Sequence, residues 1–268
     1  HMLYKVHPYR WSTIGKSPQH IEEATLDEIH DFYNHFYQPS NAILSISADL
    51  DAAEVFALAE KWFGNIPNTP YTKPTIPVEP EQSEARRLEV ERDVPATTIT
   101  IAFHMGDRLS RDFYLGDIAS DVLAGGDSAR LYERLIKQQR LFGSVNAYIS
   151  GDVDCGTFTF TAQLLPDTTE QQAEEALWVE IEELKQGRIS DYELDKVKNK
   201  FEANTLFGEI SVMNKAMNLG YYEMIGDLPL INREVDIYRS LQATDIANFS
   251  QRVFRRENSS TLIYRAKR

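Results

Sequence analysis

The sequence predicts an α+β protein. Residues 97–105 alternate, with Ile99, Ile101 and Phe103 on one face and Thr98, Thr100 and Ala102 on the other, as in a half-buried strand. Residues 144–149 and 157–165 read as a hairpin across a turn bounded by Gly151 and Gly156. Helical periodicities fall in blocks apart from these antiparallel strands, which separates the pattern from alternating βαβ units.

The elements follow in order. Thr25 and Glu28 have capping-box spacing, and Ile29, Phe32, Tyr33 and Phe36 then share one helical face. A turn at residues 38–41 leads to an expected strand over 42–47. Asp51 opens a helix with Val55, Leu58, Ala59 and Trp62 inward, stopped by Gly64 and Pro67. Pro67, Pro70, Pro74, Pro77 and Pro80 exclude helix interior and central strand, so 67–80 reads as a semi-rigid linker. Beyond it come strands over 87–91 and 97–105, and helices over 112–123 and 129–139 broken by Gly125 and Gly126. After the hairpin, helices are expected over 168–186, from Ser190 past Asn204, and over 244–253; a last strand covers 261–264. One echo stands out: Ile29, Phe32, Tyr37 and Asn41 recur as Ile246, Phe249, Phe254 and Asn258, each set just before a strand.

Composition excludes several functions. The 268 residues carry 28 Lys+Arg against 41 Asp+Glu, a net charge of −13 that repels the phosphates of nucleic acid and anionic membranes. No window holds the roughly 18 apolar residues of a membrane helix. Cys155 is the single cysteine, so no internal disulfide and no thiolate zinc cluster is available. His1 and Met2 read as the remnant of an expression tag.

No catalytic, substrate-binding or metal site is expected from the residues. His30 and His35 sit about 140° apart around a helix and cannot share a face. His20 and Glu23 have the spacing of the first part of a zinc-protease motif, but Ala24 stands where a second histidine is needed. His104 reads as a packed or edge side chain. No nucleophile elbow, phosphate loop or dinucleotide fingerprint occurs. The glutamates between 174 and 183 read as a solvated helix face.

Several segments together resemble the pitrilysin/insulinase-type zinc metallopeptidases, relatives of mitochondrial processing peptidase. His7-Pro8-Tyr9 with Gly15 and Ile21 is similar to the stretch after that family's catalytic helix. Phe32, Tyr37, Pro39, Asn41, Leu44 and Asp49 match a second signature, with Ala48 in place of its usual Gly. Gly125, Gly126, Ser128, Arg130, Leu131, Leu135, Ser144 and Val145 match a third, from the family's second domain.

The resemblance implies an antiparallel sheet covered by helices, in a domain duplicated along the chain with its first copy truncated. Residues 1–66 would be the latter part of one domain, 67–80 the linker and 81–268 a complete, non-catalytic second domain. This chain would then be the C-terminal part of a metalloendopeptidase-like protein, forming the lid of a peptide-binding chamber. The alternative it implies is a non-enzymatic scaffold or assembly subunit. The family's zinc helix precedes the His-Pro-Tyr stretch, so zinc would belong to the longer parent and not to this chain, itself expected to be inactive. Some members grip substrate with an arginine and a tyrosine seven residues apart; the aligned positions here are Ile136 and Gly143, which offer no side-chain donor. Arg130, Arg140 and Tyr148 lie nearby without aligning. The partners implied are a peptide substrate, a paired subunit of the same family and, through the apolar residues near Ile43, a second copy of the chain. A bacterial periplasm or envelope is the implied location.

Overall fold

A computed structural model describes residues 2–267; His1, read above as part of a tag remnant, and Arg268 lie outside the described residues. In chain order the regular elements are α1 (Gln19–Glu22), α2 (Leu26–Phe36), α3 (Ala52–Phe63), β1 (Arg86–Arg92), β2 (Thr98–Met105) and α4 (Arg111–Ala124). A π-helical segment, Tyr132–Gln138, precedes β3 (Phe142–Ser150) and β4 (Gly156–Leu164). Then come α5 (Glu170–Lys185), α6 (Asp191–Gly208), α7 (Val212–Met224), α8 (Glu234–Ser240), α9 (Ala243–Val253) and β5 (Ser259–Ala266).

These form two compact units. The larger joins residues up to Val6, Val78–Ala203 and Val235 onward; the smaller joins His7–Pro77 and Asn204–Glu234. The larger holds one five-stranded sheet in the order β1-β5-β2-β4-β3. Every neighbouring pair is antiparallel except β1 with β5, which run parallel.

The sequence explains why this sheet is covered on one side. Ile99, Ile101 and Phe103 of β2, Phe158 and Phe160 of β4 and Ile263 of β5 all turn to the same face and are fully buried there. Trp178 of α5 and Phe254, just after α9, meet Phe103 edge-on, at 5.7 and 5.1 Å between ring centres. Such T-shaped contacts add roughly 1 kcal/mol each to the burial of the rings. Thr169 and Gln172 form the capping box that starts α5, and Ser190 with Glu193 starts α6 in the same way.

The smaller unit departs from expectation at the strand predicted over 42–47. Residues 42–48 form no strand, because no neighbouring chain among the described residues offers them a hydrogen-bond ladder, and a strand without a partner has nothing to hold it. The echo around it is nevertheless structural. Both copies have a capping box, an 11-residue helix and a three-residue 3-10 turn. In both, the asparagine amide Nδ2 donates to the carbonyl five residues back: Asn41 to Phe36 O at 2.8 Å, Asn258 to Val253 O at 2.9 Å. Their surroundings differ. Ile246, Phe249 and Phe254 are at most 1% exposed, whereas Ile29, Phe32 and Tyr37 are 54–66% exposed.

Candidate functional site

The uncovered face of the larger unit's sheet is built from the other half of each strand's alternation. Cross-strand register places Ser144, Gln163 and Thr98 in one row and Asn146, Thr161 and Thr100 in the next. Tyr148, Thr159 and Ala102 follow, then Ser150, Thr157 and His104. The first two rows open into a pocket of about 810 Å³ whose far wall is Ala124, Gly126, Asp127 and Tyr132. Among the described residues, Asp127 is the only charged residue lining it; the remaining polar groups are hydroxyls and amides. Such a surface donates and accepts hydrogen bonds without demanding a charge from its ligand.

The loop that closes this pocket is fixed from behind. Gly126 ends α4 with φ +118°, a conformation glycine adopts without penalty. Arg130 is buried; its Nε and Nη2 donate to both carboxylate oxygens of Glu193, at 2.6 and 2.9 Å, and Nη2 also reaches Arg188 O. Burial raises the Glu193 pKa, but hydrogen bonds from Arg130 and from the Ser190 amide and hydroxyl outweigh it and hold the carboxyl down at about 2. Arg130 is thus a brace between this loop and α6. Arg134, one turn on, donates to Glu180 at 2.9 Å; Glu180 is buried, and that burial raises its pKa against the pull of Arg134.

The residues aligned with the arginine and tyrosine of the resemblance do not line the pocket, although Gly143 adjoins its Ser144 and Gln163. Ile136 packs against the core from the π-helical segment. Gly143 sits where the β3–β4 register shifts between Phe142 and Ser144. Arg140 adopts φ +56° at the turn into β3, and Tyr148 stands half-exposed on the open face.

The histidines are dispersed. His7 accepts the Tyr9 amide on Nδ1 at 3.1 Å and caps the turn Pro8–Arg10. His35 meets Phe36 edge-on. His20, Glu23 and Glu28 line one shallow pocket with Ala24, yet Glu28 Oε2 is occupied by the Thr25 amide and hydroxyl, both at 2.8 Å. That donor set does not fit a zinc ion. Among the described residues no three of His, Cys, Asp and Glu converge as metal ligands. His104 stacks on Tyr4 at 4.9 Å, and burial lowers its pKa.

Motif reading touched the pocket at Gly126, Ser144 and Val145 of the third signature but could not assemble it. Threonine, serine, asparagine and glutamine from three strands carry no spacing signal, because register and not sequence distance assembles them.

Comparison with known proteins places this geometry. The profile described as the peptidase M16 inactive domain matches residues 23–201. The zinc protease PqqE of Helicobacter pylori is 27% identical over 267 residues, covering 97% of this chain and 59% of that protein. The chain therefore spans about three-fifths of that relative's length. The crystal structure of a protease from Helicobacter pylori superposes with a TM-score of 0.91 at 27% identity, over 98% of this chain and 64% of that one. A peptidase M16 inactive domain from Pseudomonas fluorescens has the same fold, with a TM-score of 0.86 at 20% identity, over 100% and 63% of the two chains. With most of its length under one profile and its sheet matched by these structures, this chain belongs to the peptidase M16 inactive domain family.

Proposed function

We propose that this chain is the non-catalytic C-terminal region of a zinc metalloendopeptidase-like protein, and that its open sheet face is the lid of a peptide-binding chamber. The observation that carries the reading is the asymmetry of the sheet: helices and aromatic rings seal one face, while the other presents the 810 Å³ pocket, polar and with Asp127 on its wall. That pocket lies beside β3, one of the sheet's two edge strands, whose outer row of amides and carbonyls has no neighbouring strand among the described residues. An extended peptide laid along β3 would satisfy that row and place side chains in the pocket. The residues would bind and orient the peptide and exclude water; zinc, if the whole protein carries it, would supply the hydrolytic chemistry from residues outside this chain. The domain organisation proposed is 1–66, 67–80 and 81–268 as above, with a periplasmic or envelope setting.

The test is binding of a labelled unstructured peptide to the chain. Micromolar to millimolar affinity that falls at least tenfold in Tyr132→Ala and Asn146→Lys variants is expected. Equal binding by these variants would overturn the assignment. The chain should also leave a quenched peptide library uncut, and turnover that survives chelators would contradict its non-catalytic role. In the whole protein, absence of both stoichiometric zinc and cleavage would favour the scaffold reading.

A further inference from the structure

The far end of the same open face, away from the pocket, is occupied by the chain itself. Tyr4 is buried, its ring stacked on His104 and its hydroxyl donating to Cys155 O at 3.3 Å. On one side of that ring, Arg86 Nη1 donates to two successive carbonyls, Met2 O at 2.9 Å and Leu3 O at 2.7 Å. On the other side, two successive amides converge on one carboxylate: Lys5 N on Glu79 Oε1 at 2.7 Å and Val6 N on Glu79 Oε2 at 2.9 Å. Residues 2–6 form neither helix nor strand, so no backbone ladder places them there.

The Arg86 and Glu79 contacts named here are all to the main chain of residues 2–6. Arg86 reads carbonyls, Glu79 reads amides, and a single slot between them takes one ring. Such an arrangement recognises the peptide backbone with opposite charges at its two ends, and asks only one side chain to be aromatic. Arg86 is fixed independently of the strap by β1 pairing with Ser260 of β5, and three residues after Glu79 the Gln82 side-chain amide anchors the chain by donating to Glu257 O and Ser259 O.

We propose that Glu79, Arg86 and His104 form a peptide clasp, which binds a short bent peptide through its backbone and one aromatic side chain. In this chain residues 2–6 fill the clasp, and a peptide of the same chemistry exchanges with them. The choice of a peptide as ligand rests on the chamber reading above; the clasp geometry does not.

The probe is acetyl-Leu-Tyr-Lys-Val-amide carrying a fluorophore on its lysine, the acetyl carbonyl standing in for Met2 O. In the full chain, Tyr4→Gly with Lys5→Pro removes the ring and one of the two amides, releasing the strap. Fluorescence anisotropy should show the released chain binding the probe at least tenfold more tightly than the unaltered chain. Adding Glu79→Gln and Arg86→Met should cost at least tenfold, as should alanine for tyrosine in the probe. Equal binding by released and unaltered chains, or indifference to Glu79 and Arg86, would overturn the clasp. A second measurement needs no variant. Amide hydrogen exchange at Lys5 and Val6 in the unaltered chain should quicken under saturating unlabelled probe, and unchanged protection there would also overturn it. Tyr132→Ala and Asn146→Lys should leave probe binding unaltered, so the clasp and the β3 pocket fail separately.

Discussion

At the scale of single residues, the motif arginine of the glycine-loop segment is a structural brace. Arg130 holds Glu193 in a bidentate pair that is largely withdrawn from water. Breaking a buried pair by removing one partner strands the other, so Arg130→Met should destabilise the chain by about 3 kcal/mol in urea titration. Glu193 also sets an acid limit. Its folded pKa, about 2, lies below the ordinary 4.5, so its stabilisation is complete above pH 4.5 and is lost as pH falls toward 2. The full shift corresponds to roughly 3 kcal/mol, which partial exposure scales to about 1–2. Glu180 works in the opposite sense: burial raises its pKa, so acid relieves a cost there. Glu193→Gln should therefore lie about 1–2 kcal/mol below the parent at pH 6 and converge with it only as pH falls to about 2 and below.

At the scale of elements, the repeated helix–turn unit separates local chemistry from burial. Phe254 and Tyr37 occupy equivalent positions, the helix C-caps, with similar backbone angles. Phe254 lies among Phe103, Phe158, Phe160 and Phe249, whereas Tyr37 is mostly exposed. Thermal or urea unfolding of Phe254→Ala should show a loss of about 3–5 kcal/mol, and Tyr37→Ala should change stability by no more than about 0.5. The same contrast explains what the sequence could reveal. Caps, prolines and apolar alternation act over a few residues, so α2, β2, the β3–β4 hairpin, α5 and α9 were legible. Residues 42–47 were not, because alternation signals a strand only when some other chain segment supplies the ladder. Helix α7 also went unread, although Met213, Met217, Tyr221 and Met224 recur at helical spacing; most of its apolar side chains, such as Met213 and Met217, are exposed. In the π-helical segment the sequence announced a helix but not its wider winding. The pocket and the clasp were illegible for a common reason, since both depend on register and chain packing between distant residues.

At the scale of the whole molecule, the smaller unit carries much of the exposed apolar surface. Ile43, Leu44 and Ile46, with Phe56 and Trp62 of α3, are 46–74% exposed. Contiguous apolar surface of this kind associates in water. Sedimentation velocity should show reversible self-association of the purified chain at tens of micromolar, weakened by Leu44→Lys together with Ile46→Lys. A clean monomer at high concentration would contradict it.

The position of β5 has its own consequence. The final strand lies inside the sheet, between β1 and β2, paired from Ser260 against Arg86 and from Ser259 against Phe103. On the ribosome β1 is therefore made long before the neighbour it needs, and the sheet stays divided until β5 emerges. A chain lacking β5 would leave β1 stranded beside a three-stranded remnant, so the integrity of the larger unit hangs on this one bridging strand.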